Sequence, residues 1–435
     1  MLRPVLAVFL AFATLPLGAA EPPAPAFELE NAFAALAGRK IPDGRLYAPF
    51  YLGVIAPHAL VAQGTVYCAF QNATGRPIVM AYRAQAKAWD GPVKAAEFGL
   101  GGDDDHGNPA IAIDRQGHLH IFYGCHGGPM RHARSAKPYD ITAWEEMPPP
   151  VRNATYPQAM RLADGTLALF YRAGGHPAPW SLQLSANDGR SWSPAERVIE
   201  MRKAPSDPLA CAYAYAMPGA TGRTIHCFWN HKDDNAARVS AARPHPWRPL
   251  KYPGLHEAVY RYNAYYIRRD AEGVWRNAAG EPVALPVSKA EADAKCLAYD
   301  SGDEFSFLGT RLAVDGDDRA YIRFGTGVVD WVRRGREPEG AADSKTVIVP
   351  PTDRFITFAG GKWQVARELP AEWPADVRRT LSSPGSLAWG EEWPGGNWFI
   401  TSSRRPTKPG VGCAVFLWHG GAGFATRAGG PAGVD

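Results

Sequence analysis

One phrase recurs along the 435-residue chain and restricts its fold more than any other feature. A small or apolar residue precedes an Asp, a short turn follows that ends near Gly, and an alternating strand then closes on an aromatic. It reads Ala112-Ile113-Asp114, then Gly117-His118-Leu119-His120-Ile121-Phe122-Tyr123. It returns as Leu162-Ala163-Asp164-Gly165-Thr166-Leu167-Ala168-Leu169-Phe170-Tyr171, and again from Ala313-Val314-Asp315 to Phe324. Weaker copies lie at Gly64–Phe70, Arg223–Trp229 and Phe355–Trp363. The turn chemistry is local: the Asp side chain bonds backbone amides just ahead, and Gly accepts a positive φ. Alternation with a period of two specifies strands rather than helices. Asp114 and Asp164 stand 50 residues apart, the length of a four-stranded propeller blade. The expected fold is therefore all-β, a seven-bladed β-propeller of four-stranded antiparallel blades.

Composition agrees, with 45 Gly and 39 Pro making turns dense. A helical period is visible only near Phe27–Ala37 and Lys289–Lys295. Residues 1–20 read as a cleaved secretory signal: Arg3, an apolar run from Val5 to Leu17, then Gly18-Ala19-Ala20. A 21–46 N-terminal segment and one 47–435 propeller domain follow, with insertions near 231–257 and 286–303. No Cys follows Ala20, which argues against a lipid anchor, and no later apolar run spans a bilayer. A soluble, secreted or periplasmic protein without membrane contact is expected. The net charge of +4 argues against nucleic acid as the main partner and leaves room for an acidic ligand held by local arginines. Of the six cysteines, Cys211 and Cys227 flank the turn Pro218–Gly222 and are expected nearly opposite each other on adjacent strands. They read as a disulfide or as two small buried residues.

Chemistry concentrates between Asp103 and His126. A charged loop carrying His106 precedes one strand and His126 follows the next, while Asp114-Arg115-Gln116-Gly117 supplies a hairpin turn between them. Both imidazoles are then expected at one sheet edge. Neutral His is a base suited to ambient pH. Asp103–Asp105 read as a Ca²⁺ ligand set or, more commonly, as a solvated acidic turn. His118 and His120 face one side of their strand; with no third ligand they read as a satisfied or solvated pair. No metal or cofactor is assigned.

Ser185-Ala186-Asn187-Asp188-Gly189-Arg190-Ser191-Trp192 resembles the Asp-box of BNR repeats, with Asn187 at the Asp position and Ser191 at the Thr position. Asp270–Trp275 is a poorer copy. Further matching phrases are Asp104-Asp105-His106-Gly107-Asn108-Pro109, Tyr123-Gly124-Cys125-His126, Phe170-Tyr171-Arg172 and Tyr262-Asn263-Ala264-Tyr265-Tyr266. Together they resemble the BNR-repeat β-propeller family that includes ulvan lyases. The resemblance implies a polysaccharide lyase that cleaves an acidic, uronic-acid-containing polysaccharide by β-elimination, and a monomer is expected. In that family a His and a Tyr act as base and acid, a second His assists, and an Arg neutralises the uronate. By motif these roles fall on His106, Tyr171 and His126, with Asn108 and Tyr123 as substrate contacts. The Arg has no counterpart between Ser181 and Arg190, which leaves Arg172 and Arg261 as candidates. Strand alternation places Tyr171 and Arg172 on opposite faces unless a bulge or strand end intervenes. The alternatives are a sialidase-like hydrolase, and a non-catalytic glycan-binding propeller using Trp180, Trp229 and Trp247 as stacking platforms.

Overall fold

The computed structural model describes residues 28–31, 54–72, 74–101, 104–202, 210–233, 261–302, 304–327, 352–383, 386–390, 397–402 and 415–420. The signal segment, Trp247 and Cys413 lie outside the described residues. After β1 (Glu28–Asn31), a meander of β2 (Ala59–Ala62), β3 (Thr65–Gln71), β4 (Pro77–Arg83) and β5 (Ala88–Lys94) forms one antiparallel unit. The next comprises β6 (Ala110–Ile113), β7 (Leu119–Tyr123), β8 (His126–Ser135) and the first half of β9 (Trp144–Arg161). The second half of β9 opens a third unit with β10 (Leu167–Arg172), β11 (Trp180–Ser185) and β12 (Glu196–Ile199). Because β9 is 18 residues long and serves both, these two units are one continuous seven-stranded sheet.

A fourth unit holds β13 (Ala210–Pro218), β14 (Ile225–Asp233), β15 (Arg261–Arg269) and β16 (Trp275–Arg276). The expected helix at Lys289–Lys295 is present as α1 (Lys289–Glu291), capped by Ser288 and running into a π turn at Ala292–Cys296. It leads into β17 (Leu297–Tyr299), which adds to β15. The fifth unit is β18 (Phe305–Val314), β19 (Ala320–Gly327), β20 (Thr352–Ala359) and β21 (Lys362–Ala366). Helix α2 (Ala375–Ser382), which has no clear sequence signal, packs Val377 and Leu381 against Tyr321 and Phe355 of that unit. In the sixth, β22 (Ser386–Leu387) and, after β23 (Trp389–Gly390), β24 (Asn397–Ser402) and β25 (Val415–Gly420) line up with β1. Strand β23 runs parallel to β2 and joins this last unit to the first. The expected helix over Phe27–Ala37 is thus corrected: Glu28–Asn31 is a strand, held antiparallel to β25. Six antiparallel units of four or five strands appear among the described residues, where seven blades are expected. No helix among them is long and apolar enough to cross a membrane.

The two-residue period does the packing. In β3, Val66, Cys68 and Phe70 enter one apolar cluster while Tyr67 and Ala69 enter the next. In β6 likewise, Ala110 and Ala112 face one way, Ile111 and Ile113 the other. Each sheet is therefore sandwiched between its neighbours, and a slip of one residue would exchange both faces. The Asp turns close as their chemistry requires. Asp114 Oδ1 accepts from the amides of Gln116 and His118, Asp315 Oδ1 from those of Asp317 and Arg319, and Asp164 Oδ1 from that of Thr166. In the Asp-box, Ser185 Oγ accepts from Gly189 N and Asn187 Oδ1 from Ser191 N. Trp192 packs edge-on against Phe122. Gly189 has φ +76°, and a Cβ there would meet the His132 and His120 rings at 3.0 and 3.1 Å, so a side chain at this plug would be strained.

The expected juxtaposition of Cys211 and Cys227 is corrected by the register. Cys227 faces Ala216 and Cys211 faces Lys232, because the register closes at Pro218 and Ile225, further from Cys211 than from Cys227. Both are buried and neither is in a disulfide. His118 Nδ1 donates to Ser135 O, and His120 sits in a closed chain with His132 and Asp114.

Buried histidines make stability depend on pH. Burial pushes His58 down to about 4 against a hydrogen bond to Pro109 O, and burial lowers His120 and His132 as well. Each binds fewer protons folded than unfolded, so its stabilisation is complete above the unfolded value of 6.5 and declines as pH falls toward the folded value. For His58 alone this amounts to about 3 kcal/mol across that window. Urea midpoints should rise between pH 4.5 and 7, and His58→Gln should flatten the rise; an unchanged slope in that variant contradicts the assignment.

Candidate functional site

The loop before β6 is a single 3₁₀ turn, Asp105–Gly107, capped by Asp104, whose Oδ1 accepts from His106 N at 3.1 Å. Its surroundings fix it from three sides. Gln71 Nε2 donates to Asp104 O, Gly124 N donates to Gly107 O, and Nδ1 of the fully buried His58 bonds Pro109 O at 3.1 Å. From this turn His106 reaches Asp104 Oδ1 through Nδ1 at 2.6 Å and the Tyr156 hydroxyl through Nε2 at 3.1 Å. His126, at the start of β8, reaches the other carboxylate oxygen, Oδ2, through its own Nδ1 at 2.8 Å. The two imidazoles lie flat on each other, centroids 3.7 Å apart and planes 6° from parallel. The expectation that they share one sheet edge is met directly.

One carboxylate thus holds both rings. Burial alone would raise the Asp104 carboxyl, but hydrogen bonds from His126 and His106 outweigh it and keep the group below the usual carboxylate range. An ionised Asp104 accepts only, so each ring carries its proton on Nδ1 and presents an Nε2 lone pair. The Tyr156 hydroxyl accordingly donates to His106 Nε2. For His106, burial lowers the pKa and the Asp104 hydrogen bond opposes that without cancelling it. The ring stays neutral, and hence basic, at lower pH than a free imidazole.

Tyr156 was not among the residues singled out from sequence, and it arrives there through an irregularity. Phe170 faces Gln158 while Arg172 faces Thr155, so β9 holds one residue more than β10 over this interval. Within that bulge Tyr156 has φ +62°, a left-handed conformation that costs a non-glycine residue about 1–2 kcal/mol. Trp180 stacks against its ring at 6.0 Å and 10°. Thr155 braces the same point, donating to Gly174 O and accepting from Gly127 N, which ties the His126 segment to the β10–β11 turn. One signal was available: His106 and Tyr156 are 50 residues apart, the spacing of the two Asp turns, and so hold equivalent places in successive units.

Tyr171 is not brought to the histidines. It is buried in the core, its hydroxyl donates to Gln183 Oε1 at 2.7 Å, and burial pushes its pKa up to about 12. Alternation along β10 aims Arg172 the other way, and the guanidinium lies 4.6 Å from the Tyr156 ring centroid. Arg172 is buried; Nε donates to Gly174 O, while Nη1 has no hydrogen-bond partner among the described residues. Arg261 stands 4.4 Å over Tyr213, which lies 5.7 Å from Tyr156, and its Nε is likewise buried without a partner. Beyond them His176 bridges Tyr213 Oη at 3.4 Å and Lys232 Nζ at 3.2 Å. The wall next to the histidine pair is therefore cationic.

The remaining sequence candidates are buried. Asn108 is fully buried and its amide donates to Asp105 O, bracing the His106 turn. Tyr123 is buried beside Ile111 and Ile121, which explains why burial raises its pKa. Trp180 and Trp229 are 0 % exposed, so neither is a stacking platform for a glycan. A cavity of about 520 Å³ lies elsewhere, where β6 and β9 end, lined by Arg115, Leu162, Asp164 and Gly222.

The family model for BNR repeat-containing proteins matches residues 65–326. An ulvan lyase of Alteromonas sp. (strain LOR) is 30% identical over 335 residues, covering 71% of this chain and 63% of that protein. One of Nonlabens ulvanivorans is 30% identical over 295 residues, covering 62% and 60%. The chain thus spans about three fifths of the length of these curated relatives. A solved polysaccharide lyase family 25 ulvan lyase superposes with a TM-score of 0.62 at 24% identity, over 87% of this chain and 83% of that one. A second structure of such a lyase, bound to -[GlcA(1-4)Rha3S]-, gives 0.61 at 23% identity over 87% and 84%. These superpositions establish a shared fold.

Proposed function

Because the chain belongs to the BNR repeat-containing family, we propose that its histidine pair serves a polysaccharide lyase cleaving an acidic, uronate-containing polymer by β-elimination. The observation that carries this reading is the unbroken line Asp104–His106–Tyr156, with His126 on the second oxygen of the same carboxylate. β-Elimination needs a base for the proton beside the uronate carboxylate and an acid for the departing oxygen. His106 Nε2 takes the proton, the C–H electron pair becomes the new C=C bond, and the glycosidic C–O pair leaves with oxygen. Tyr156 Oη protonates that oxygen, then recovers its proton through His106. Tyr156 replaces Tyr171 in the acid role because only Tyr156 touches the base. Asp104 fixes the tautomer and orientation of both rings, and His126 offers a second exposed Nε2 to the sugar.

Arg172 is the cation for the carboxylate: its orphan Nη1 is a buried donor beside the reacting pair, and a guanidinium fork matches a carboxylate. Arg261, with Lys232 and His176 behind it, extends the positive wall along a polymer that repeats its charge. The named activity of the relatives and the uronate bound in one of the solved lyases support the substrate class. With it go the propeller ring closed by β1, export through the N-terminal segment, action as a monomer, and the 47–435 domain boundary.

Incubation with glucuronate-containing polymers, ulvan among them, should produce the absorbance of unsaturated uronate. Products lacking that absorbance on every uronate polymer would refute the assignment. The acidic limb of kcat/KM should report the neutral base, so activity should fall only below pH 6.5, the ordinary imidazole value. A limb centred above that value contradicts His106 as base.

A further inference from the structure

We infer that Asp104, His106 and His126 also form a binding site for a divalent transition metal, with Zn²⁺ as the reference ion, and that its occupation silences the proton-transferring pair. The binding half stands on geometry alone; the silencing half rests on the function proposed above. One carboxylate oxygen and one nitrogen from each imidazole lie within 4.8 Å of one another, the only such group of His, Cys, Asp or Glu found among the described residues. Two imidazoles and a carboxylate with a position left open is a donor set suited to Zn²⁺, at about 2.0–2.2 Å per bond. The two Nδ1–carboxylate separations are now 2.6 and 2.8 Å, and ligands around a tetrahedral ion stand about 3.4 Å apart. The donors need part by less than 1 Å, and the stacked rings must tilt out of parallel so that both Nδ1 lone pairs meet the ion. His126, 44 % exposed on its side chain, is free to yield, while the His106 turn is braced by Gln71, His58 and Gly124.

The chemistry of the exchange is explicit. Zn²⁺ takes the place of the two protons held between the imidazoles and Asp104. Each imidazole shifts its proton from Nδ1 to Nε2, so no proton is lost and the site gains two positive charges over its single negative one. His106 Nε2 then carries a hydrogen and donates to Tyr156 Oη instead of accepting from it. The lone pair that would remove the substrate proton is gone. The same carboxylate that orients the base for catalysis becomes the anchor of its inhibitor.

Calorimetric titration of the full chain with zinc chloride, without substrate, tests the binding half. One saturable site is expected, weakened roughly tenfold or more in Asp104→Asn and in His126→Gln, since even outer-shell partners change metal affinity on that scale. His126→Gln alters an exposed side chain and serves if Asp104→Asn does not fold. Wild-type affinity in the folded variants, or no saturable binding below about 1 mM, overturns the site. Elimination by the wild type should be lost as zinc saturates this site and return on adding EDTA; full activity with the site saturated overturns the silencing. A protein that binds zinc through these residues but cleaves no uronate polymer keeps the metal site and removes the lyase reading.

Discussion

Tyr156→Phe should lower kcat on a uronate polymer by about 10²–10⁴-fold, the usual contribution of a positioned acid or base, while Tyr171→Phe leaves kcat within a few-fold. The two variants remove the same atom from two buried tyrosines, so the contrast isolates position. Tyr156 loses its bond to His106 Nε2; Tyr171 loses its bond to Gln183, leaving a buried amide oxygen unsatisfied. That second loss costs about 1–3 kcal/mol of stability, so Tyr171→Phe should reveal itself in the melting temperature and not in turnover. Steady-state absorbance assays beside thermal melts separate the two. Equal loss of kcat in both variants would return the acid role to Tyr171.

The second large effect concerns Arg172. Arg172→Lys keeps a cation in the buried slot but loses the planar fork, and kcat should fall by about 10²–10³-fold, as when a positioned charge-stabilising donor is removed elsewhere. Arg172→Met should fall at least as far. Arg261→Met acts from farther off, across Tyr213, and should raise KM more than it lowers kcat. The assignment fails if Arg261→Met costs more turnover than Arg172→Lys with both proteins folded.

What could be read without coordinates was local. An Asp that bonds amides two and four residues ahead writes its own turn, so the hairpin between β6 and β7 was legible, and with it the meeting of His106 and His126. The Asp-box was legible for the same reason. Distant partnerships were not. Glu28–Asn31 has a helical period, yet its backbone is satisfied by β25 at the other end of the chain, which no local pattern announces. An indole reads equally well as a platform or as core, and Trp180, whose Nε1 donates to Ala212 O deep inside, proved to be core. Tyr156 precedes Pro157, a context that reads as extended backbone, whereas the extra residue in β9 forces the left-handed turn that delivers its hydroxyl. The 50-residue echo of His106 at Tyr156 was the clue, and it becomes meaningful only once the start of one unit is known to lie beside the start of the next.

The central claim is that His106 and Tyr156 transfer protons as one device. A double-mutant cycle on kcat, with His106→Ala, Tyr156→Phe and the combined variant assayed on the same uronate polymer, addresses it directly. The account predicts that the double variant is no slower than the worse single one, because either change already disables the pair. Losses that multiply would show two independent groups, and a wild-type rate in either single variant would remove that residue from the chemistry.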